Sequence, residues 1–144
     1  MTINELFGTL QQAVVGSWRE HLKTTKYSTH MALDDLYKEL PELVDSLIET
    51  WQGTHDLVDN YTNIVPEDEP STYLSALILK VEEGYGCLEG DKACESILDE
   101  ISALLKQTLY KLNYLKEAEN PEADDYISLQ EHLTNALGAS QLEE

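Results

Sequence analysis

Residues 21–53 read HLKTTKYSTHMALDDLYKELPELVDSLIETWQG. Leu33, Leu36, Tyr37, Leu40, Leu43, Val44, Leu47, Ile48 and Trp51 recur at three- and four-residue steps, the mark of one apolar helix face. The pattern predicts a helix that starts near Ser28 or Thr29 and runs to about Asn60. Pro41 falls inside it and predicts a kink or a break, because proline offers no amide N–H and crowds the preceding turn. Beside the leucines lies a second strip. With His30 set at zero on a helix of ~100° per residue, Asp34 falls near ~40°, Asp45 near ~60° and Glu49 near ~100°. All four are residue types that bind iron, zinc or manganese.

Working outward, the N-terminal segment predicts a helix over about residues 2–24. Thr2 caps it, and Glu5 stands at the capping-box spacing. Ile3, Leu6, Phe7, Leu10, Val14, Trp18 and His21 share one face. After the second helix, YTNIVPEDEP (61–70) is a loop long enough for a crossover. A third helix is expected over 71–83. The segment GYGCLEGD then turns the chain into a fourth helix, over 91–118, capped by Asp91. Asn120-Pro121 breaks that helix, and a fifth is expected over 122–137, ended by Gly138. The fold class is therefore all-α in a single domain. A four-helix bundle occupies 1–118, and an additional short C-terminal helix and tail occupy 119–144.

The charge narrows the partners. Twenty-eight acidic against nine basic residues among 144 give a net charge of −19. Such a chain repels nucleic-acid phosphates, so no DNA binding is expected. An acidic surface suits cations or a basic protein partner. No apolar run approaches the ~20 residues of a membrane span, so no membrane association is expected. The start MTINELFGTLQQ lacks the basic and apolar regions of a signal peptide, and the expected location is the cytoplasm. Cys87 and Cys94 read as buried or idle thiols.

Axial distance adds a constraint to the polar strip. His30 and Asp34 lie ~6 Å apart along the helix, as do Asp45 and Glu49, but Asp34 and Asp45 are ~16 Å apart. One chain cannot bring all four to one metal. Acting together, they form two half-sites that a second copy completes across a two-fold axis through the middle of this helix. His21, near the end of the first helix, is close enough in sequence to His30 for antiparallel helices to aim both imidazoles at one point.

The arrangement His21, His30, Asp34, Asp45, Glu49 resembles the ferroxidase ligand set of the Dps-type miniferritins. In that family a His near the end of the first helix is followed by a second His and an Asp one turn later, then after eleven residues by an Asp and four further on by a Glu. Here Asp34 to Asp45 is eleven and Asp45 to Glu49 is four. The segment 21–53 also resembles small phage-encoded ferritin-like proteins. The resemblance spans about residues 5–53 and implies a ferritin-like bundle and an inter-subunit di-iron site. It also implies ferroxidase or iron-sequestering activity, and a homodimer or a larger cage. Other divalent metals fit the same ligands. Leu22 stands where the family usually has Trp, and the two histidines are about a helical turn closer than usual. The lysine-rich DNA-binding tail is absent. Ordinary ferritins use Glu-x-x-His pairs; here Trp18, Tyr27, Gln52 and Leu129 stand three residues before the four histidines.

Two other readings stand beside this one. The first is a non-enzymatic, acidic, phage-type interaction or structural protein on the same fold, in the cytoplasm or a virion. The second is a DNA mimic, suggested by the acidic clusters Glu67–Glu69 and Glu117–Asp125. His55 with Asp56 and Asp59 reads as a solvated helix end, and Trp18 and Trp51 as core or interface aromatics. No Gly-rich phosphate loop, zinc-finger spacing or nucleophile motif occurs.

Overall fold

The computed structural model describes residues 1–116 and 129–138. Its elements are α1 (Ile3–Lys23), α2 (Tyr27–Gln52), α3 (Pro70–Gly84), a 3₁₀ turn (Tyr85–Leu88) and α4 (Lys92–Tyr114). A further helix, α5, spans 129–138. The described residues are all-α. None of their helices is long and apolar enough to cross a membrane.

The caps explain where most helices start. Thr2 accepts from the Glu5 amide while the Glu5 carboxylate accepts from the Thr2 amide, a reciprocal capping box. Asp91 caps α4 by accepting from Cys94 N–H. Glu69 caps α3 in front of Pro70, whose missing N–H costs nothing in the first turn. α2 differs from expectation: its N-cap is Lys26, and no side chain caps it. The helix also continues through Pro41 without a break and ends at Gln52, not near Asn60. Gly53 closes it by donating to the Glu49 carbonyl. Leu57 and Val58, which continue the apolar spacing, belong to the connection that follows. α4 ends at Tyr114, four residues before the expected limit. Residues 122–128 of the expected fifth helix lie outside the described residues.

The four long helices surround one core. α1 packs on α2, α2 on α4, α4 on α3, and α3 back on α1. Named contacts fix the directions. Phe7 meets Trp51 edge-on at one end of α1 and α2, and His21 stacks on His30 at the other. Ser71 bonds Asn113, pairing the start of α3 with the end of α4. Tyr73 Oη donates to the Gln12 carbonyl, and Lys111 pairs with Asp35. The order is up-down-down-up, with α2 and α3 on a diagonal. The chain between them must therefore cross the length of the bundle.

That crossover, residues 53–69, runs along α1. Thr62 N–H donates to the Asn4 carbonyl and Ile64 N–H to Thr9 Oγ1. Glu67 then accepts from Arg19 at the far end. Gly8 permits the close approach, because a Cβ there would stand 2.3–2.6 Å from Thr62 backbone atoms. Gly16 likewise makes room for the buried Tyr73 ring. Leu6, Leu10, Leu33, Leu36, Leu40, Leu47, Leu74, Leu77, Leu98 and Leu105 fill the centre. Of the two places expected for Trp18, core or interface, the core is ruled out: it is 50% exposed and stacks on Tyr37 at the edge of α1. The buried stripe of α1 passes through Ala13, Ser17 and Glu20, which turns position 18 outward.

Candidate metal centre

The short turn Thr24–Lys26 folds α2 back along α1 and brings His21, near the end of one helix, against the first turn of the next. The two imidazoles stack with centroids 4.0 Å apart. Each ring is fixed through Nδ1. His30 Nδ1–H donates to the His21 carbonyl at 2.8 Å, and His21 Nδ1–H donates to the Trp18 carbonyl at 3.3 Å. A carbonyl oxygen only accepts, so in both rings Nδ1 carries a proton, and in the neutral form of each ring the Nε2 lone pair is left for another partner. Metal-binding histidines are commonly oriented by a main-chain carbonyl in this way.

Asp34 sits one turn beyond His30, and its Oδ1 is 3.3 Å from His21 Nε2. An acceptor lone pair facing a carboxylate is unfavourable unless Nε2 carries a proton or the two share a cation. Donors about 2.1 Å from a first-row divalent ion lie ~3.0–3.4 Å from each other when adjacent in its shell, so this separation suits shared coordination. Ligand atoms of His21, His30 and Asp34 all lie within 4.8 Å of one another, the one such group among the described residues. The set is two imidazoles and one carboxylate, with borderline donors suited to Fe(II), Zn(II) or Mn(II). His21 is buried, and the Asp34 side chain is only 16% exposed, so competition from water is limited.

Lys38, one turn further, bonds Asp34 Oδ2 at 2.8 Å. This hydrogen bond, with the charge of Lys38 and the charge that His21 and His30 carry when protonated, holds the Asp34 carboxyl below the usual aspartate range, against a smaller opposing effect of burial. Asp34 is thus ionised and held with Oδ1 toward the histidines. Tyr37 closes one side, its ring 4.9 Å from that of His21. Trp18, Leu22, Tyr27 and Met31 expose apolar surface on the same two helices.

Asp45 and Glu49 are exposed and stand further along α2, ~16 Å and more from Asp34 by helical rise. One chain brings together His21, His30 and Asp34 and leaves Asp45 and Glu49 apart, as the spacing required. Sequence reasoning missed the Trp18 and His21 carbonyls, which carry no residue-type signal. It also missed Lys38, although its i,i+4 spacing from Asp34 was a readable sign. At the opposite end, His55 stacks on Trp51 and donates from Nδ1 to the Trp51 carbonyl. Asp56 and Asp59 nearby are exposed and do not converge on it.

The model of a family of unknown function, DUF5856, matches residues 21–112, more than half of the chain. The chain belongs to DUF5856. The DUF5856 match opens on His21, takes in His30, Asp34, Asp45 and Glu49, and runs to Leu112 in the last turns of α4. No curated protein and no solved structure matches the chain.

Proposed function

We propose that this chain is a ferritin-like protein that binds a divalent metal, iron in the first instance, through His21, His30 and Asp34. The observation that carries the reading is the pair of stacked imidazoles with Nδ1 tied to main-chain carbonyls, with His21 Nε2 3.3 Å from Asp34 Oδ1 and ligand atoms of all three residues within 4.8 Å of one another. The up-down-down-up order, with a crossover between α2 and α3, supports the ferritin-like part. The Dps-type spacing of Asp45 and Glu49 supports completion of the site by a second copy, which would lay the exposed Trp18, Leu22 and Met31 against its own α1–α2 face. Fe(II) is then the substrate: two ferrous ions give two electrons to one peroxide, which takes up two protons and leaves as water. The protein's part is to hold the ions. His21 and His30 supply neutral nitrogen donors of fixed tautomer, and Asp34 supplies negative charge.

Anaerobic titration with Fe(II), followed by addition of peroxide, tests this. Binding that raises the melting temperature is expected, and Asp34→Asn should remove it. The double variant Asp45→Ala/Glu49→Ala should keep one-metal binding but lose fast oxidation and metal-linked dimerisation. A protein that takes up no Fe(II), Zn(II) or Mn(II) favours a second reading, in which protonated His21, Asp34 and Lys38 form an ion-pair clasp between α1 and α2.

A further inference from the structure

A second feature, independent of the metal site, lies at the C-terminal end. In α5 every residue from 129 to 137 is exposed. Leu129, Leu133 and Leu137 recur every four residues along one stripe and are 60%, 63% and 66% exposed. Three large apolar side chains left in water along one stripe call for a covering surface.

The outward face of α4 offers one. Ala103, Gln107, Tyr110 and Tyr114 are exposed at alternating four- and three-residue steps, which is the spacing of a helix-pairing seam. Tyr110 and Tyr114 are 54% and 74% exposed, with Leu115 beside them at 54%. Charge separates the two surfaces. Residues 101–116 contain Lys106, Lys111 and Lys116 and no acid, in a chain of net charge −19. Residues 117–138 contain Glu117, Glu119, Glu122, Asp124, Asp125 and Glu131 and no lysine or arginine. The first half of α4, with Glu95, Asp99 and Glu100, would repel such a segment, so charge restricts docking to the second half.

We infer that α5 of one copy docks its leucine stripe on the Tyr110–Tyr114 face of α4 in a second copy. Stripe and face are both exposed in the same chain, so two copies related by a two-fold axis can exchange them reciprocally and form two contacts at once. A connection of the length of 116–128 extends at most ~45 Å, so chain length alone does not confine α5 to its own α4. This face lies across the bundle from α1, and its use does not depend on the α1–α2 face that carries the metal ligands.

Sedimentation velocity of the full chain over a range of concentrations, in a chelator so that no metal contributes, tests the inference. A dimer is expected. Its dissociation constant should rise about tenfold or more, a loss of about 1.4 kcal/mol per decade, in Leu129→Ser/Leu133→Ser/Leu137→Ser and again in Tyr110→Ser/Tyr114→Ser. The bundle's melting should be unchanged in both, since these side chains are exposed. Asp45→Ala/Glu49→Ala should leave this dimer intact. A monomer at every concentration, including one in which α5 rests on its own α4, overturns the inference. So does a dimer indifferent to both sets of substitutions.

Discussion

The two ends of α2 carry similar histidines in different company. His30 donates from Nδ1 to the His21 carbonyl at 2.8 Å and stacks on an imidazole. His55 donates from Nδ1 to the Trp51 carbonyl at 2.9 Å and stacks on an indole, centroids 3.4 Å apart and planes within 2°. Acidic residues follow both. The difference is convergence. At the first end a second imidazole and a largely shielded carboxylate face the same point, and a lysine holds the carboxylate in place. At the second, Asp56 and Asp59 point into solvent, and the ring serves to close the helix end where the chain turns into the crossover. Residue type and an oriented ring are shared by both ends; a binding site needs the donors brought to one place.

The largest expected effect follows directly. His30→Ala or Asp34→Asn should weaken Zn(II) or Fe(II) binding by more than about a hundredfold, beyond the range typical of losing a merely supporting partner. His55→Ala should leave the affinity unchanged. Calorimetric titration of the three variants checks this, and equal losses at both ends would erase the distinction.

The lower end can be broken without touching the upper. Gly8→Ala places a methyl against the Thr62 backbone and should cost about 1–3 kcal/mol in denaturant melts as the crossover is pushed from α1. Metal affinity of the folded variant should remain that of the parent. A smaller change is His55→Phe, which keeps a ring on Trp51 but removes the bond to its carbonyl. A loss of about 0.5–1.5 kcal/mol is expected from the missing hydrogen bond.

The smallest effect concerns Lys38, whose exposed side chain holds Asp34. Because the Asp34 carboxyl titrates below its ordinary range in the fold, its contribution to stability is complete above that range. It is lost as pH falls through the lowered value. The gap in melting temperature between the parent and Lys38→Met should be constant near neutral pH and close in acid. A gap that widens in acid would contradict the assigned role.

Local rules made much of this legible in advance. The Thr2–Glu5 box and the Asp91 cap follow from spacing over one turn, and the α2 leucines from helical periodicity. His21, His30 and Asp34 were also within reach, because a tight turn joins their helices and one helical turn separates the last two. The rest depended on partners distant in sequence. Leu57 and Val58 extend the apolar pattern of α2, yet the chain leaves the helix at Gly53. Contacts with Asn4, Gly8 and Thr9 then carry the crossover along α1, and no window along α2 contains those residues. Trp18 fitted the apolar face of α1 by count, but its place is set by Tyr37 on the neighbouring helix. The proposed completion of the site by Asp45 and Glu49 would be of the same kind, since it requires a second copy of the chain.

The central claim is that His21 and His30 present Nε2 lone pairs to a shared cation with Asp34. Long-range ¹H–¹⁵N correlation of the imidazoles measures this directly. The expected result is a proton on Nδ1 of His21 and His30 in the neutral rings, and one equivalent of Zn(II) that shifts Nε2 of both rings while leaving His55 and His132 unmoved. Protons on Nε2 in the metal-free protein, or Zn(II) that shifts neither ring, would contradict it.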